Sequence, residues 1–593
     1  MGGELRGGER SEPVELVSGL ERLVPVVLRN ESPDAFAVAL PDRAGPPLDI
    51  EADGSRRTFM KLRGVSGRNS LSLPFEAGGK QLELEVPVEV RESARHRFRV
   101  EDELGRSTPT RLYVEAADGR SYAPEGARQR RNVDGEIYYY VPGEFEIVLP
   151  EGAVELEFVK GFEYRASRVQ LDPPGPDAAE SEPKRVEMER WIDMPSRGWF
   201  SGDGHVHMNY NPSWPAILPE DAFLMQQAED LNLANMMVAN VNGDDVRDAD
   251  RFEGRPHALS LPRHQMRWNE EYRNPLLGHL VFYGLESLTT PIYGGFRDTP
   301  NPYAVPLNAD IADQVLAQGG YVTGPHAAWG KKEHAIDVGL GKMEGLEVMG
   351  YGVLTSYGVQ ALRRFWNTGF RLVATAGTDA VLNSPYGDPV GGARCYVHVE
   401  GDFSVESWLS ALRAGRSFVS NGPVVLLEVD GQEPGSEIRF DGASREPLKI
   451  RVEAVSQWPL EELAVFFNGQ VIAATREADE QLELETTFLP PDSGWIAARV
   501  RGPANRLVFG GGMARDEPQF AHTSAVWVVV DGKPQPPSAD AEALVEWTDA
   551  FTREVERSGH FESQEQREHM RAVYGEARAR FEALADEYRG LAQ

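Results

Sequence analysis

Between residues 199 and 379, apolar runs short enough to be interior strands alternate with helix-patterned segments, and the runs end in residues that bind metals or move protons. Such an alternation predicts strands whose polar ends gather on one rim, as in a β/α barrel. The first run ends Ser201-Gly202-Asp203-Gly204-His205-Val206-His207. In an extended segment residues i and i+2 face the same side, so His205 and His207 converge on one point. By itself, His-x-His suits a structural role as well as a metal. The apolar run 278–285 ends in Glu286, 320–325 in His326 and 370–378 in Asp379, while 345–350 carries Glu347 where a hydrophobe is expected. Carboxylates in such places are costly to bury without a cation. Helical segments over 219–229, 309–318 and 359–367 stand between strands.

The order His205-x-His207, Glu286, His326, Gly377-Thr378-Asp379 resembles the PHP (polymerase and histidinol phosphatase) metallohydrolase superfamily. Within it, the segments 199–207, 376–380 and 415–423 are most similar to the carbaryl and carbofuran hydrolase type, the CehA/McbA-like branch. The resemblance covers about residues 190 to 425. It implies a distorted (β/α)7 barrel in which His205, His207 and Asp379 hold one metal, Glu286 bridges, and His326 with Glu347 completes a second site. The third-metal histidines of the full pattern are missing at Ser213, Asn240 and Val381, which implies a centre of one or two divalent ions, zinc first, with manganese or iron as alternatives. The implied reaction is attack by metal-bound hydroxide on an ester, carbamate or amide of a small molecule. Asp379 either assists in deprotonating the water or serves as a ligand alone, and Glu286 is the second residue expected to act in catalysis. Two readings stand beside this one: phosphoester hydrolysis, with Arg247, Lys331, Lys332 and Arg394 supplying charge, and a noncatalytic metal-binding or scaffold protein.

Outside the barrel segment the pattern returns to period two. A multidomain α/β plus β chain is expected: a β-sandwich over 1–95, a second over 96–172, a linker over 173–192, the metal-binding barrel over 193–425, a C-terminal β-sandwich over 426–537 and a helical tail over 538–593. In the tail, Leu544, Trp547, Phe551 and Val555 form one apolar stripe and Met570, Val573, Ala577, Leu584 and Tyr588 another. Packing on the same chain is the first reading of these stripes, a homodimer the second.

A formal charge of −32 opposes nonspecific binding to nucleic acid and to anionic membranes. No run approaches the roughly 18 to 20 apolar residues of a membrane span, and the first ten residues lack an apolar signal core, so a cytoplasmic location is the default expectation. Cys395 is the one cysteine, which excludes an intrachain disulfide, and its alternating strand context reads as core rather than nucleophile. His279 lies an odd number of positions from Glu286 and is expected to face away from it. His257, His264 and His334 read as solvent-exposed. Asn209, Tyr210, Asn240, Trp329 and Asn421 are candidate substrate-pocket residues by position.

Overall fold

The buried run Trp199–His207 forms β1, the first strand of a closed ring. The computed structural model describes residues 13–29, 36–39, 48–51, 55–77, 80–132, 134–171, 182–326, 332–350, 355–440, 446–509 and 518–591. β2 (Leu233–Asn240) lies parallel to β1, and β3 (Gln265–Asn274) parallel to β2. β4 (Gly278–Tyr283) then returns antiparallel on β3. Only Pro275, Leu276 and Leu277 separate the two strands, whereas a parallel partner needs a crossover of about a dozen residues. The Asn274 carboxamide caps this turn, accepting from the Leu276 and Leu277 amides at 3.0 Å each. Gly278, with φ of +103°, closes it in a conformation that disfavours a side chain.

β5 (Tyr321–Gly324) is antiparallel to β4, which restores the direction of β1, and β6 (Gly345–Gly350) and β7 (Val373–Gly377) follow in parallel. The two-residue strand Ala380–Val381 pairs with Val206 and His207 and shuts the ring. Helices α1 (Pro219–Ala228), α2 (Asn308–Ala317), α3 (His334–Gly339) and α4 (Thr355–Trp366) stand between strands of the ring, and α5 (Val405–Arg413) follows it. This is the expected alternation with one strand reversed.

Two β units precede the ring. Among the described residues, strands between Val14 and Arg91 form a five-stranded and a two-stranded sheet. Strands between Ser93 and Leu171 form a five-stranded sheet and part of a three-stranded one. The segment expected as a linker contributes to the latter: Lys184–Glu187 pairs in parallel with Ser93–Glu101. Beyond the ring, Arg394–His398 pairs with β1 and with Ser417–Ser420, which pairs in turn with Pro518–Thr523. One sheet of the C-terminal β unit is therefore continuous with the ring, and its other face packs on the three-stranded sheet Val424–Val429, Leu448–Leu460 and Asp479–Phe488. No helix among the described residues is long and apolar enough to cross a membrane.

The tail folds as α6 (Asp540–Ser558) and α7 (Gln564–Leu591), and their buried stripe packs on the ring's own helices. Trp547 donates its indole N–H to Lys332 O at 2.9 Å, and the Phe581 ring lies against Gly339 of α3. On α7 the buried residues are Met570, Tyr574, Ala577, Phe581 and Ala585, so the stripe is rotated from the one expected: Val573, Leu584 and Tyr588 are only partly covered.

This interface contains two carboxyls, Glu333 and Asp337, that form no ion pair with a cation among the described residues. Glu333 accepts from Tyr574 Oη at 3.0 Å and from the Ala309 amide at 3.3 Å, and burial pushes it up to about 8. Burial and the neighbouring Glu333 likewise raise Asp337. A carboxyl whose pKa is raised on folding contributes stability that is fully present below its unfolded value near 4.5 and lost as pH rises through about 8. Glu333→Gln is accordingly expected to flatten the fall of the urea midpoint between about pH 5 and pH 9, measured beside the parent protein.

Candidate metal centre

At the rim where β1 ends, His205 and His207 bring their Nε2 atoms to 3.2 Å from each other. The residue around which the cluster forms is Glu271, on β3. Its Oε1 lies 3.6 Å from His205 Nε2, 2.9 Å from His279 Nδ1 and 3.8 Å from His326 Nε2, and its Oε2 lies 3.3 Å from His207 Nε2. Asp379, just past β7, places Oδ1 3.1 Å from His207 Nε2 and 3.5 Å from His205 Nε2, with Oδ2 3.6 Å from His326 Nε2. Glu347 on β6 approaches His205 Nδ1 at 3.4 Å and accepts from the His326 amide at 3.3 Å.

The backbone aims these groups. His326 and Asp379 sit at φ of +53° and +52°, left-handed conformations rare for residues with a Cβ, which turn the chain as each strand ends. Asp203, two residues before His205, accepts from the amides of His205, Thr378 and Gly391 at 3.1, 2.9 and 2.7 Å and from Thr378 Oγ1 at 2.5 Å. This buried carboxylate ties β1 to the Thr378-Asp379 turn. Gly377 allows close approach there: a Cβ would lie 2.5 Å from His205 Cβ and 2.7 Å from Glu347 Oε1.

Burial opposes charge on the four histidines, on Glu271 and on Asp379, yet mutual attraction prevails at all of these but His279. Despite burial, Asp379, Glu347 and Glu271 raise His205 well above the ordinary histidine range, and the hydrogen bonds that His207 donates to Asp379 and Glu271 raise its own pKa. Against the same penalty, His279 and His205 hold Glu271 well below the carboxylate range, and the imidazoles hold Asp379 at about 2. For His279 burial wins and its pKa falls.

Three overlapping triads (His205, His207, Glu271; His205, His326, Asp379; Glu271, His279, His326) each keep one ligand atom per residue within 4.8 Å of the others. The side chains present fit a metal. Four imidazoles and three carboxylates make the nitrogen and oxygen donor set that zinc, manganese or iron takes, and Glu347 Oε1 is buried without a hydrogen bond. A cation binding here displaces the imidazolium protons that otherwise balance the carboxylates.

The structure gathers His205, His207, His326, Glu347 and Asp379 as expected, but not Glu286. That residue is exposed and follows Leu285, whose carbonyl accepts from Arg267 at the start of β3. Because β4 runs antiparallel, its last residues lie on the rim opposite the cluster. For the same reason His279, expected to face away, stands at the cluster end. His334, expected in solvent, is buried and holds His279 O through Nε2 at 2.9 Å. Of the pocket candidates, Tyr210 lies against His207 with ring centroids 4.5 Å apart and the planes tilted by 37°. Asn209 is bonded to Asp248 and Ile217, and buried Asn240 donates to Gly243 O. Asn421 lies elsewhere, bonding Pro518 O and the Phe520 amide within the C-terminal sheet. Trp329 falls outside the described residues. Cys395 is buried against Ala376, and burial pushes its thiol up, as a core cysteine requires.

No protein-family model matches the chain, and no curated protein does. Among solved structures, a lesion-specific endonuclease from Pyrococcus furiosus aligns at 15% identity with a TM-score of 0.25, over 37% of this chain and 56% of that one. Endonuclease Q in complex with a 27-mer duplex bearing an abasic lesion aligns at 13% identity and a TM-score of 0.24, over the same shares. Bovine butyrophilin aligns at 11% identity and a TM-score of 0.10, over 28% of this chain and 97% of its own. The chain thus spans 56% of the endonucleases' length, and likenesses this slight carry no argument about its fold or chemistry.

Proposed function

We propose that the protein is a metal-dependent hydrolase of PHP type that cleaves an ester, carbamate or amide bond of a small molecule. The observation that carries this reading is the convergence of His205, His207, His279 and His326 on Glu271 at one rim of the strand ring, with Asp379 and Glu347 set against the same imidazoles. One cation would be held by His205, His207, Asp379 and Glu271, a second by Glu271, His279 and His326 with Glu347 beside them. A bound divalent ion supplies Lewis acidity, which brings the pKa of water to about 7 and polarises a carbonyl.

The chain's own groups do the remainder. Glu271 touches four imidazoles and so fixes the spacing of the two halves of the site. Asp379, its side chain 17% exposed, is the most exposed carboxylate of the cluster and would take a proton from the attacking water and return it to the leaving group. The Tyr210 ring, tilted against His207, would limit water on that side.

Phosphoester cleavage is the second reading, favoured by one cation, Arg273, at the cluster. The cations first considered for phosphate are engaged elsewhere: Arg394 with Gly391 O and Glu229 O, Arg247 with Asp245, and Lys332 with the Pro275 and Leu276 carbonyls, while Lys331 is outside the described residues. The test is a panel of carboxylic esters, carbamates, amides and phosphate esters assayed after loading with zinc, manganese or iron. Turnover of the carbonyl compounds is expected. Turnover of phosphate esters alone would select the second reading, and bound metal without any turnover would leave a binding or scaffold role.

A further inference from the structure

Arg273 lies two residues beyond Glu271 on β3 and therefore faces the same side of the strand. Its Nη1 is anchored: it donates to Asn240 O at 2.6 Å, to Val241 O at 2.8 Å and to Tyr210 Oη. The opposite edge of the guanidinium, Nε and Nη2, has no such anchor. Nε is buried without a hydrogen bond and stands 3.8 Å from Glu271 Oε2. The plane is held further by the Tyr210 ring, 5.2 Å from the guanidinium carbon. A fixed guanidinium whose Nε and Nη2 edge makes no hydrogen bond among the described residues matches a pair of anionic oxygens, which it binds side-on. Leaving the buried Nε without a hydrogen bond is costly, and among the described residues no other arginine or lysine is ion-paired with a carboxylate of the cluster.

Resting on the hydrolase reading above, we infer that Arg273 is the specificity residue of the site, and that the substrate carries a carboxylate or phosphate group next to the bond that is cleaved. The anionic group docks on the Nε and Nη2 edge while the scissile carbonyl lies over the Glu271 cluster. Tyr210 is a positioning residue: by accepting from Nη1 it keeps the edge turned to the mouth.

The experiment has a binding arm and a kinetic arm. Inorganic phosphate and benzoate are titrated calorimetrically into the parent protein, Arg273→Met and Arg273→Lys. Hydrolysis of an aryl ester bearing a free carboxylate is compared with that of its neutral methyl-ester counterpart. The parent is expected to bind at least one of the two anions about tenfold more tightly than Arg273→Met, with Arg273→Lys between them, and to favour the anionic ester by about tenfold through KM. Benzoate binding without phosphate binding identifies a carboxylate, and the reverse a phosphate. Equal anion binding by the parent and both folded variants, or no preference for the charged ester in an active parent enzyme, would overturn the inference and leave the hydrolase reading standing. The preference within the parent needs no variant to fold. If neither these esters nor any compound of the wider panel is cleaved, the hydrolase reading fails, and the calorimetry still decides whether Arg273 binds anions.

Discussion

Glu271→Gln is expected to lower hydrolysis by about three orders of magnitude, about 4 kcal/mol of transition-state stabilisation, while Glu286→Gln leaves it within about twofold. The contrast follows from strand direction. Glu271 sits among His205, His207, His279 and His326, and its charge is the one that all four share. A carboxamide of the same shape keeps the packing and removes that charge. The imidazoles then lose their common partner, and a cation loses the anionic ligand that both halves of the centre need. Glu286 is exposed on the far rim, where a loss of charge is absorbed by water. Steady-state rates and metal content of the two variants, measured side by side, check this. Equal effects, or a larger one at position 286, would mean that the cluster around Glu271 is not the reacting centre.

Asp203→Ala is expected to destabilise the fold by about 4 kcal/mol and to cost most of the activity, although the side chain belongs to neither half of the centre. Its carboxylate takes four hydrogen bonds, three of them from buried amides of His205, Thr378 and Gly391. Alanine leaves those amides without an acceptor inside the ring, where each unpaired donor costs about 1 to 3 kcal/mol. The Thr378-Asp379 turn, held at a left-handed φ next to these bonds, then loses its tether. Asp203→Asn keeps one acceptor oxygen and is expected to lose about half as much. Urea denaturation reads the stability of both variants, and an alanine variant with an unchanged midpoint would contradict the tethering role.

How much of this was legible in the sequence depends on what each strand faces. β1, β6 and β7 are apolar runs interrupted or ended by a ligand-type residue, so His205, His207, Glu347 and Asp379 stood out, as did His326 after β5. β3 did not, because Gln265–Asn274 contains no apolar run. Its signal was alternation: Met266, Trp268 and Tyr272 pack outward, while Arg267, Asn269, Glu271 and Arg273 share the inner face. Inside the ring part of that polar face is satisfied by its neighbours, with Asn269 donating to Asn235 and Asn235 to Asp203 O. A strand polar on its inner face reads as a loop when burial is equated with hydrophobicity.

The misplacement of Glu286 had a simpler remedy. Three residues between the end of β3 and Gly278 cannot carry a parallel crossover, so β4 had to reverse and present its first residues, His279 among them, at the ligand rim. In the tail, the existence of two amphipathic helices was legible, but the buried stripe of α7 runs through Tyr574 and Phe581 rather than Val573 and Leu584. Hydrophobicity alone does not rank a tyrosine above a leucine. The hydroxyl of Tyr574 meets Glu333, a partner the sequence did not reveal.

The central claim, that this cluster is a metal centre, is tested most directly by elemental analysis of the purified protein beside the His205→Ala, His207→Ala double variant. About one to two equivalents of zinc, manganese or iron in the parent, and next to none in a folded variant, is the predicted result. Absence of metal from both proteins after reconstitution with each of the three ions, or equal metal in both, would contradict it.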